Sequence, residues 1–307
     1  MLTEVYNGSH RHEWEGKKGG YEWWYVDART ADGNIGLNVT VHETDPFGLD
    51  KGPYVSMSVL EAGRDPMYVK MPLEKGAIQT GGEHLVVGGG ELIRETEDGL
   101  FIGLAFSPEM TVNLRMERLS PQYVHGDGVV YSDPQSGRKA FWIVRVPHGK
   151  FSGELKLNGR PVPIQGTAYF DHNWGDCPIQ DGLDGWIWGR FGNGEMAVVM
   201  ISALGVMGGT IQRSIMVADG QVKEIESDLS PLLATLLAGG LNEQRDALVK
   251  VDGRVLKFGV GPRQAMRSRL DENAGAFRFD YCRWVTEASL DGNPPIPGVV
   301  EFTGIKR

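Results

Sequence analysis

Tyr169 and Asp171 lie two residues apart and are the pair of side chains in this sequence best suited to proton transfer. They belong to the segment GTAYFDHNWGD, residues 166–176. In a β-strand, alternation places Tyr169, Asp171 and Asn173 on one face. A carboxyl group buried in an apolar site has a raised pKa and can act as a general acid. The alternative is a polar plug, in which Asp171 and Asn173 bond to backbone groups and tie a loop to the rim of a barrel.

A second candidate segment, YEWWYVD at residues 21–27, surrounds a carboxylate with four aromatic side chains. Strand alternation places Trp23 and the two tyrosines on one face, and Glu22 and Trp24 on the other. One face would fill a core, while the other could line a cavity. Alternatively, Glu22 bonds to backbone groups at the end of a barrel and the tryptophans simply pack.

The third segment, GWIWGRF at residues 185–191, places Trp186, Trp188 and Arg190 on one face of a predicted strand. An arginine over a tryptophan ring is a common cation–π arrangement. Arg190 could therefore pack against these rings as part of the structure, or it could bind the carboxylate of a substrate.

His42 ends a predicted strand, residues 35–42, in which polar and apolar side chains alternate. The alternation puts His42 on the polar face with Asn38 and Thr40, where it would face either a polar cavity or solvent. The histidines and cysteines do not show the spacing of a zinc or non-haem iron site. Dinucleotide, P-loop and nucleophile-elbow motifs are also absent from the sequence. We therefore expect no metal and no cofactor.

The composition of the 307 residues, with 41% hydrophobic and 23% charged side chains, is typical of a soluble globular protein. A net charge of -9 and the lack of a basic cluster argue against nucleic-acid binding. No apolar run reaches the ~20 residues of a membrane span, and the polar residues 1–20 do not resemble a secretory signal. Cys177 and Cys282 are expected to be buried free thiols, and a reducing compartment makes the cytoplasm the expected location.

The elements that must position these residues are predicted to be strands. The 43 glycines, about twice the usual share, separate short runs rich in Val, Ile and aromatic residues. Four dipeptides between such runs predict tight hairpins: Asp32-Gly33, Asn158-Gly159, Asn193-Gly194 and Asp252-Gly253. A meander of this kind predicts an all-β fold, either a barrel or a sandwich.

One segment, residues 229–237, has leucines at helical spacing, and Ser230 is expected to cap its start. Such a helix would pack against a barrel or act as a lid over a pocket. The polar, turn-rich stretch 178–185 predicts a boundary between two domains, residues 1–180 and residues 181–307.

Two motifs in this order resemble the paired signatures of the AttH/CrtC lipocalin-like family. They are Glu22-Trp23-Trp24-Tyr25 and Tyr169-Phe170-Asp171-His172-Asn173-Trp174-Gly175. The stretch between them also resembles the family, at Phe141-Trp142, Pro147, Ser152-Gly153-Glu154-Leu155 and Asn158-Gly159. The specific likeness covers residues 18–176 and continues more weakly to the C-terminus. It implies two lipocalin-like (calycin) β-barrel domains packed together with little helix, and a deep apolar pocket at or near their interface.

Characterised members of this family include carotenoid 1,2-hydratase, kievitone hydratase and decalin-forming Diels–Alderases. In the carotenoid hydratase, a Tyr-x-Asp pair is proposed to protonate the alkene, and that pair corresponds to Tyr169 and Asp171. The hydratase also uses a histidine near an upstream tryptophan, whereas this sequence has no histidine beside Trp142. The resemblance thus implies a lyase or isomerase of secondary metabolism. Such an enzyme would hydrate or cyclise a large, apolar, unsaturated terpenoid, polyene or polyketide-like substrate without a cofactor.

The aromatic residues of these segments fit such chemistry, because the faces of aromatic rings stabilise a carbocation. The catalytic residues are predicted to be Asp171 and Tyr169. The predicted substrate-binding residues are Glu22, Trp23, Trp24, His42, Trp142, Asn173, Trp186, Trp188 and Arg190. The alternative function is a non-catalytic carrier of an apolar ligand, since lipocalin-like barrels often hold such ligands. In either case the expected partner is an apolar small molecule, and the sequence does not predict an oligomeric state.

Overall fold

The chain folds into two antiparallel β-sheets with little helix, as predicted. The computed structural model describes residues 20–47, 52–79, 84–239, 245–260, 265–270 and 278–306. Most of residues 1–20, on which the expectation about a secretory signal rests, lie outside the described residues. Within these described residues, twelve strands form the first sheet and nine form the second.

The first sheet is built from the N-terminal part of the chain. Its strands are β1 Tyr21–Thr30, β2 Ile35–Thr44, β3 Tyr54–Glu61, β4 Met67–Pro72, β5 Ile78–Gln79, β6 Val86–Val87, β7 Ile93–Thr96, β8 Gly99–Ser107, β9 Met110–Arg118, β10 Val129–Ser132, β11 Lys139–Leu157 and β12 Arg160–Gly175. The strand order is β4-β3-β2-β1-β12-β11-β9-β8-β7-β6-β5, and β10 pairs with β11. A 3-10 turn, Gly88–Gly90, follows β6.

The second sheet follows a short helix, α1 Ile179–Gly182. Its elements are β13 Leu183–Gly192, β14 Met196–Gly205, β15 Thr210–Ala218, β16 Gln221–Glu224, helix α2 Ser230–Leu237, β17 Arg245–Val251, β18 Arg254–Val260, β19 Ala265–Leu270, β20 Arg278–Leu290 and β21 Ile296–Lys306. The strand order is β16-β15-β14-β13-β21-β20-β18-β17, and β19 pairs with β20. The domain boundary at residues 180/181 stays a prediction.

Each of the four dipeptides predicted to form a hairpin joins two neighbouring antiparallel strands. Asn158 and Gly159 have φ angles of 51° and 77°, the left-handed conformations that a type I′ turn requires. This turn starts the return of the long β11–β12 hairpin, which carries Asp171. In the turn between β13 and β14, the side chain of Asn193 accepts hydrogen bonds from the backbone N–H groups of Glu195 and Met196.

Side-chain alternation gives each sheet one face that packs into its own apolar core. In the first sheet, Trp24, Val39 and Val41 belong to that core, while in the second sheet Ile187 and Phe302 do so. The two curled sheets, each around a core, confirm the prediction of two lipocalin-like domains. The opposite faces of the two sheets meet, and a third cluster joins them: Tyr123, Trp142, Val144, Tyr169, Trp188, Val199, Ile215 and Val299.

Helix α2 lies within the predicted segment 229–237 and packs into the core of the second sheet through Leu233 and Leu236. The structure therefore favours packing against the barrel over a lid, because none of the residues of α2 lines the cavity described below. The expected cap is also corrected. Ser230 is the first helical residue, and its backbone N–H donates to the side chain of Asp228 at 3.0 Å.

Cys177 and Cys282 are buried free thiols, as predicted. In the part of the chain that the structure describes, we find no helix of the length and apolar character that crossing a membrane requires.

Candidate active site

A cavity of about 800 Å³ lies between the two sheets. Its walls come from β1–β4, β11 and β12 of the first sheet and from β13, β14, β20 and β21 of the second. The cavity is thus outside both apolar cores, at the interface where the family resemblance places a pocket. Its lining residues differ in exposure: Tyr68 is 58% exposed, whereas Asp171 is 4% exposed.

Asp171 is the carboxyl group at the buried end, and three side chains donate hydrogen bonds to it. The Tyr169 hydroxyl and the Trp142 indole Nε1 both donate to Asp171 Oδ2, at 2.7 and 2.8 Å. The Asn173 amide donates to Asp171 Oδ1 at 2.7 Å. Trp142 Nε1 also lies 3.2 Å from the Tyr169 hydroxyl. The cluster therefore holds the carboxyl group in a single orientation.

Strand pairing explains why these residues meet. In the register of β12 with β11, Asn173 lies opposite Trp142, and Asp171 lies opposite Val144. In the register with β1, Asp171 lies opposite Tyr25. Because side chains two residues apart share a face and cross-strand neighbours are close, the central strand β12 projects the cluster toward the second sheet.

Burial raises the pKa of Asp171 from 3.8 to about 7. The three hydrogen bonds from Tyr169, Trp142 and Asn173 act in the opposite direction, since donors favour the carboxylate. The negative charge of Glu301 raises the pKa further. The effect of desolvation on the pKa is the larger one, so a substantial fraction of Asp171 carries a proton near neutral pH.

Two more carboxylates line the same cavity, Asp45 and Glu301 of β21, and neither was predicted from the sequence. Tyr25 donates its hydroxyl hydrogen to Glu301 Oε1 at 2.6 Å. The guanidinium of Arg283, which is fully buried, forms ion pairs with both Glu301 and Asp27. Arg283 Nη1 also donates to the Tyr25 hydroxyl at 2.5 Å. The sequence feature that could have indicated Glu301 is its position as a lone carboxylate in the apolar run VVEFTGI, residues 299–305.

Aromatic rings form much of the cavity wall. Trp23, Trp142, Trp186 and Trp188 all line the cavity. The ring of Tyr25 meets that of Trp188 edge-on, with centroids 5.4 Å apart. Such faces stabilise a cation in a site with little water.

The β2 and β3 side of the cavity is polar, with Asn38, Thr40, His42 and Ser56 along it. Burial and the nearby charge of Lys70 lower the pKa of His42 to about 3, so its ring is neutral. The ring stacks on Tyr54 at 4.3 Å. The sequence leaves open whether His42 faces a polar cavity or solvent, and in the structure it faces the cavity.

Four predicted site residues lie outside the lining of this cavity. Glu22 and Trp24 occupy the opposite face of β1, where each contacts His172: the carboxylate at 2.8 Å and the indole by stacking at 4.8 Å. Arg190 is buried in an ion pair with Asp27 at 3.0 Å. None of these three residues lines the cavity, so the contact of Glu22, Trp24 and Arg190 with a substrate stays a prediction and is not part of this site.

Tyr169 is the fourth of these residues, and it is fully buried behind Asp171. Burial and the neighbouring Asp171 hold the pKa of its hydroxyl well above 10. Its hydroxyl therefore serves as a neutral hydrogen-bond donor to Asp171. The predicted residues that the cavity brings together are Trp23, His42, Trp142, Asp171, Asn173, Trp186 and Trp188.

Among the described residues, no group of three or more His, Cys, Asp and Glu side chains is arranged to hold a metal ion.

The sequence of the chain is similar to that of known carotenoid-pathway proteins. The family described as carotenoid hydratase CrtC matches residues 51–238. A hydroxyneurosporene dehydrogenase of Chlorobaculum tepidum is 24% identical over 209 residues, covering 56% of this chain and 53% of that protein. The chain thus spans about half the length of this curated relative.

Solved structures share the fold at low sequence identity. A protein described as AttH from Nitrosomonas europaea has a TM-score of 0.61 and 16% identity, covering 93% of each chain. CghA, in its structure with Sch210972, has a TM-score of 0.64 and 11% identity, covering 93% of this chain and 88% of that one. Kievitone hydratase from Nectria haematococca has a TM-score of 0.56 and 13% identity, with the same coverage.

Proposed function

Because this chain belongs to the carotenoid hydratase CrtC family, we propose that it protonates a carbon–carbon double bond of a large, apolar, unsaturated substrate, which is then hydrated or cyclised. The observation that carries this proposal is Asp171. It is a buried carboxyl group on the wall of a tryptophan-lined cavity, and its pKa is raised to about 7.

Protonation of an alkene requires an acid that is neutral near physiological pH and shielded from water. The hydrogen bonds around Asp171 also select the oxygen that carries the proton. Oδ2 accepts from two donors, Tyr169 and Trp142, whereas Oδ1 accepts only from Asn173. In our proposal the proton is therefore on Oδ1, and Tyr169 acts as a positioning residue that fixes Oδ2.

The reaction then proceeds through a carbocation. The Asp171 O–H bond breaks, a C–H bond forms at one alkene carbon, and positive charge develops at the other. The faces of Trp142, Trp186 and Trp188 would stabilise this charge. The cation is captured by water, which then loses a proton to give an alcohol. Alternatively it is captured by a second double bond, which closes a ring and leaves a new cation that loses a proton to give an isomer. Protonation and capture exchange no electrons, so the proposed reaction needs no redox cofactor.

We propose a carotenoid-like polyene as the first substrate class to test, since the family is that of a carotenoid hydratase. The purified protein is incubated with lycopene in detergent micelles, and the products are analysed by chromatography and mass spectrometry. We expect a product that is heavier by one water, or an isomer of equal mass. If lycopene remains unaltered, protonation of a carotenoid is refuted.

Asp171→Asn should lower this turnover by at least about 100-fold, because a general acid contributes that much or more. Asp246→Asn is a matched control, since Asp246 forms a surface ion pair with Lys257 and does not line the cavity. The alternative function, a carrier, is favoured if both variants and the wild type bind lycopene stoichiometrically and release it unchanged.

A further inference from the structure

We propose that Glu301, held by Tyr25, positions and deprotonates the water molecule that captures the cation, so that the reaction is a hydration. This inference rests on the proposed function, because it concerns the step that follows proton donation by Asp171.

The two carboxyl groups come from different sheets and line the same cavity. Asp171 lies on β12 and Glu301 on β21, and they are close enough for the charge of Glu301 to act on Asp171. Tyr25 lies between the two groups. Its hydroxyl donates to Glu301 at 2.6 Å, and its ring meets the edge of the Tyr169 ring with centroids 6.4 Å apart.

The surroundings of the two carboxyl groups differ in charge. The hydrogen-bond donors around Asp171 are neutral side chains. Glu301, in contrast, is in direct ion pairing with the buried guanidinium of Arg283. A pair of carboxyl groups in one cavity, one neutral and one charged, provides an acid and a base for a single reaction.

This step requires only a weak base. A water molecule that forms a C–O bond to a carbocation becomes an oxonium group, which is strongly acidic. Glu301 can therefore take its proton without being a strong base. The negative charge on Glu301 also stabilises the cation before capture, as preorganised charges do in other active sites.

Asp171 transfers its proton to an alkene carbon, water oxygen bonds to the cationic carbon, and a water proton passes to Glu301. Glu301 then releases that proton to solvent while Asp171 takes one up. The net reaction joins one alkene and one water into one alcohol.

A purely structural role for Glu301 is the competing explanation. Arg283 pairs with Asp27 of β1 as well as with Glu301, so this buried network joins the two sheets. Loss of such a network lowers stability, but it does not change how a cation is partitioned between products. The ratio of products therefore distinguishes the two roles.

The experiment uses lycopene with two isotope labels. In D₂O, deuterium in recovered or converted lycopene reports proton donation by Asp171. In H₂¹⁸O, label in the alcohol reports capture by water. With Glu301→Gln we expect deuterium uptake to continue. The ratio of ¹⁸O-labelled alcohol to isomerised alkene should fall by at least about tenfold, a modest effect for loss of a general base.

Glu287→Gln is the matched control, because Glu287 is an exposed carboxylate on β20 that does not line the cavity. Its product ratio should equal that of the wild type. If Glu301→Gln does not fold, Tyr25→Phe replaces it, since this change removes only the hydroxyl and keeps the ion pair of Glu301 with Arg283. We expect the same shift at a smaller size, about threefold, which is of the order of one hydrogen bond.

Each outcome decides a separate point. An unchanged product ratio in Glu301→Gln, or in Tyr25→Phe where that variant is the one tested, overturns the role of Glu301 and leaves the role of Asp171 intact. Deuterium without ¹⁸O in the wild type also overturns it, because water is then not the capturing group. No deuterium uptake by the wild type overturns the proposed function itself.

Discussion

Replacing Trp142 with phenylalanine should raise the pKa of Asp171. The indole Nε1 of Trp142 donates to Asp171 Oδ2 at 2.8 Å. This hydrogen bond stabilises the carboxylate and so lowers the pKa against the effect of burial. Phenylalanine removes the donor but keeps an aromatic ring on the wall, while Tyr169 and Asn173 still donate to the carboxyl group.

The size of this pKa change follows from the usual energy of a hydrogen bond to a charged group. A hydrogen bond to a charged group contributes about 1.5–3 kcal/mol, and a pKa change of one corresponds to about 1.4 kcal/mol. The pKa of Asp171 should therefore move from about 7 to roughly 8 or 9. At pH 8, the protonated fraction of Asp171 would rise from about a tenth to about half or more.

Infrared titration of the unliganded protein, with ¹³C-labelled aspartate, measures this fraction through the carboxyl C=O stretch. The band from Asp171 is assigned by its loss in Asp171→Asn. Trp186→Phe is the control, because Trp186 lines the cavity from the second sheet and is not among the donors to Asp171. A midpoint in Trp142→Phe that is equal to or below that of the wild type would refute the hydrogen-bond argument.

Three further predictions concern stability. The pKa of Asp171 is raised from 3.8 to about 7, so its contribution is complete below pH 3.8 and is lost as the pH rises through 7. Between pH 5 and pH 8, the free energy of unfolding measured in urea should therefore fall less for Asp171→Asn than for the wild type. Parallel plots of this free energy against pH would contradict the argument. Burial lowers the pKa of His148 from 6.5 to about 4, so its contribution is complete above pH 6.5 and is lost as the pH falls toward 4. His148→Leu should flatten the acid side of the stability curve, and an unchanged slope there would be evidence against it. Arg190→Met removes one of the two guanidinium groups paired with the buried Asp27. It should cost about 3 kcal/mol, the lower end of the loss on breaking a buried pair, because Arg283 still pairs with Asp27. An unfolding free energy within about 1 kcal/mol of the wild type, less than the usual loss on breaking a buried pair, would show that the pair is not needed.

Much of the candidate site follows from the two-residue period of β-strands. Trp23, Asp171 and Asn173 were assigned to their faces by alternation alone, and all three line the cavity. Alternation separates two faces, but it does not say which one packs into a core. Alternation therefore does not exclude Glu22 and Trp24 from a binding site, although their face of β1 turns away from the cavity.

Contacts between the two sheets could not be derived from the sequence. Arg190 and its partner Asp27 are separated by 163 positions, and Glu301 and Tyr25 by 276 positions. No local pattern fixes such pairs, because they depend on how two complete sheets pack. Lone charges within apolar strands, as in VVEFTGI around Glu301, indicate that a buried partner exists without identifying it.

The central claim, that Asp171 donates the proton to the alkene, is tested most directly by a single turnover of lycopene in D₂O. We predict that the wild type and Asp246→Asn introduce deuterium at a former alkene carbon and that Asp171→Asn, once shown to be folded, introduces none. Deuterium uptake by Asp171→Asn at the rate of the wild type would contradict the assignment and place the acid elsewhere.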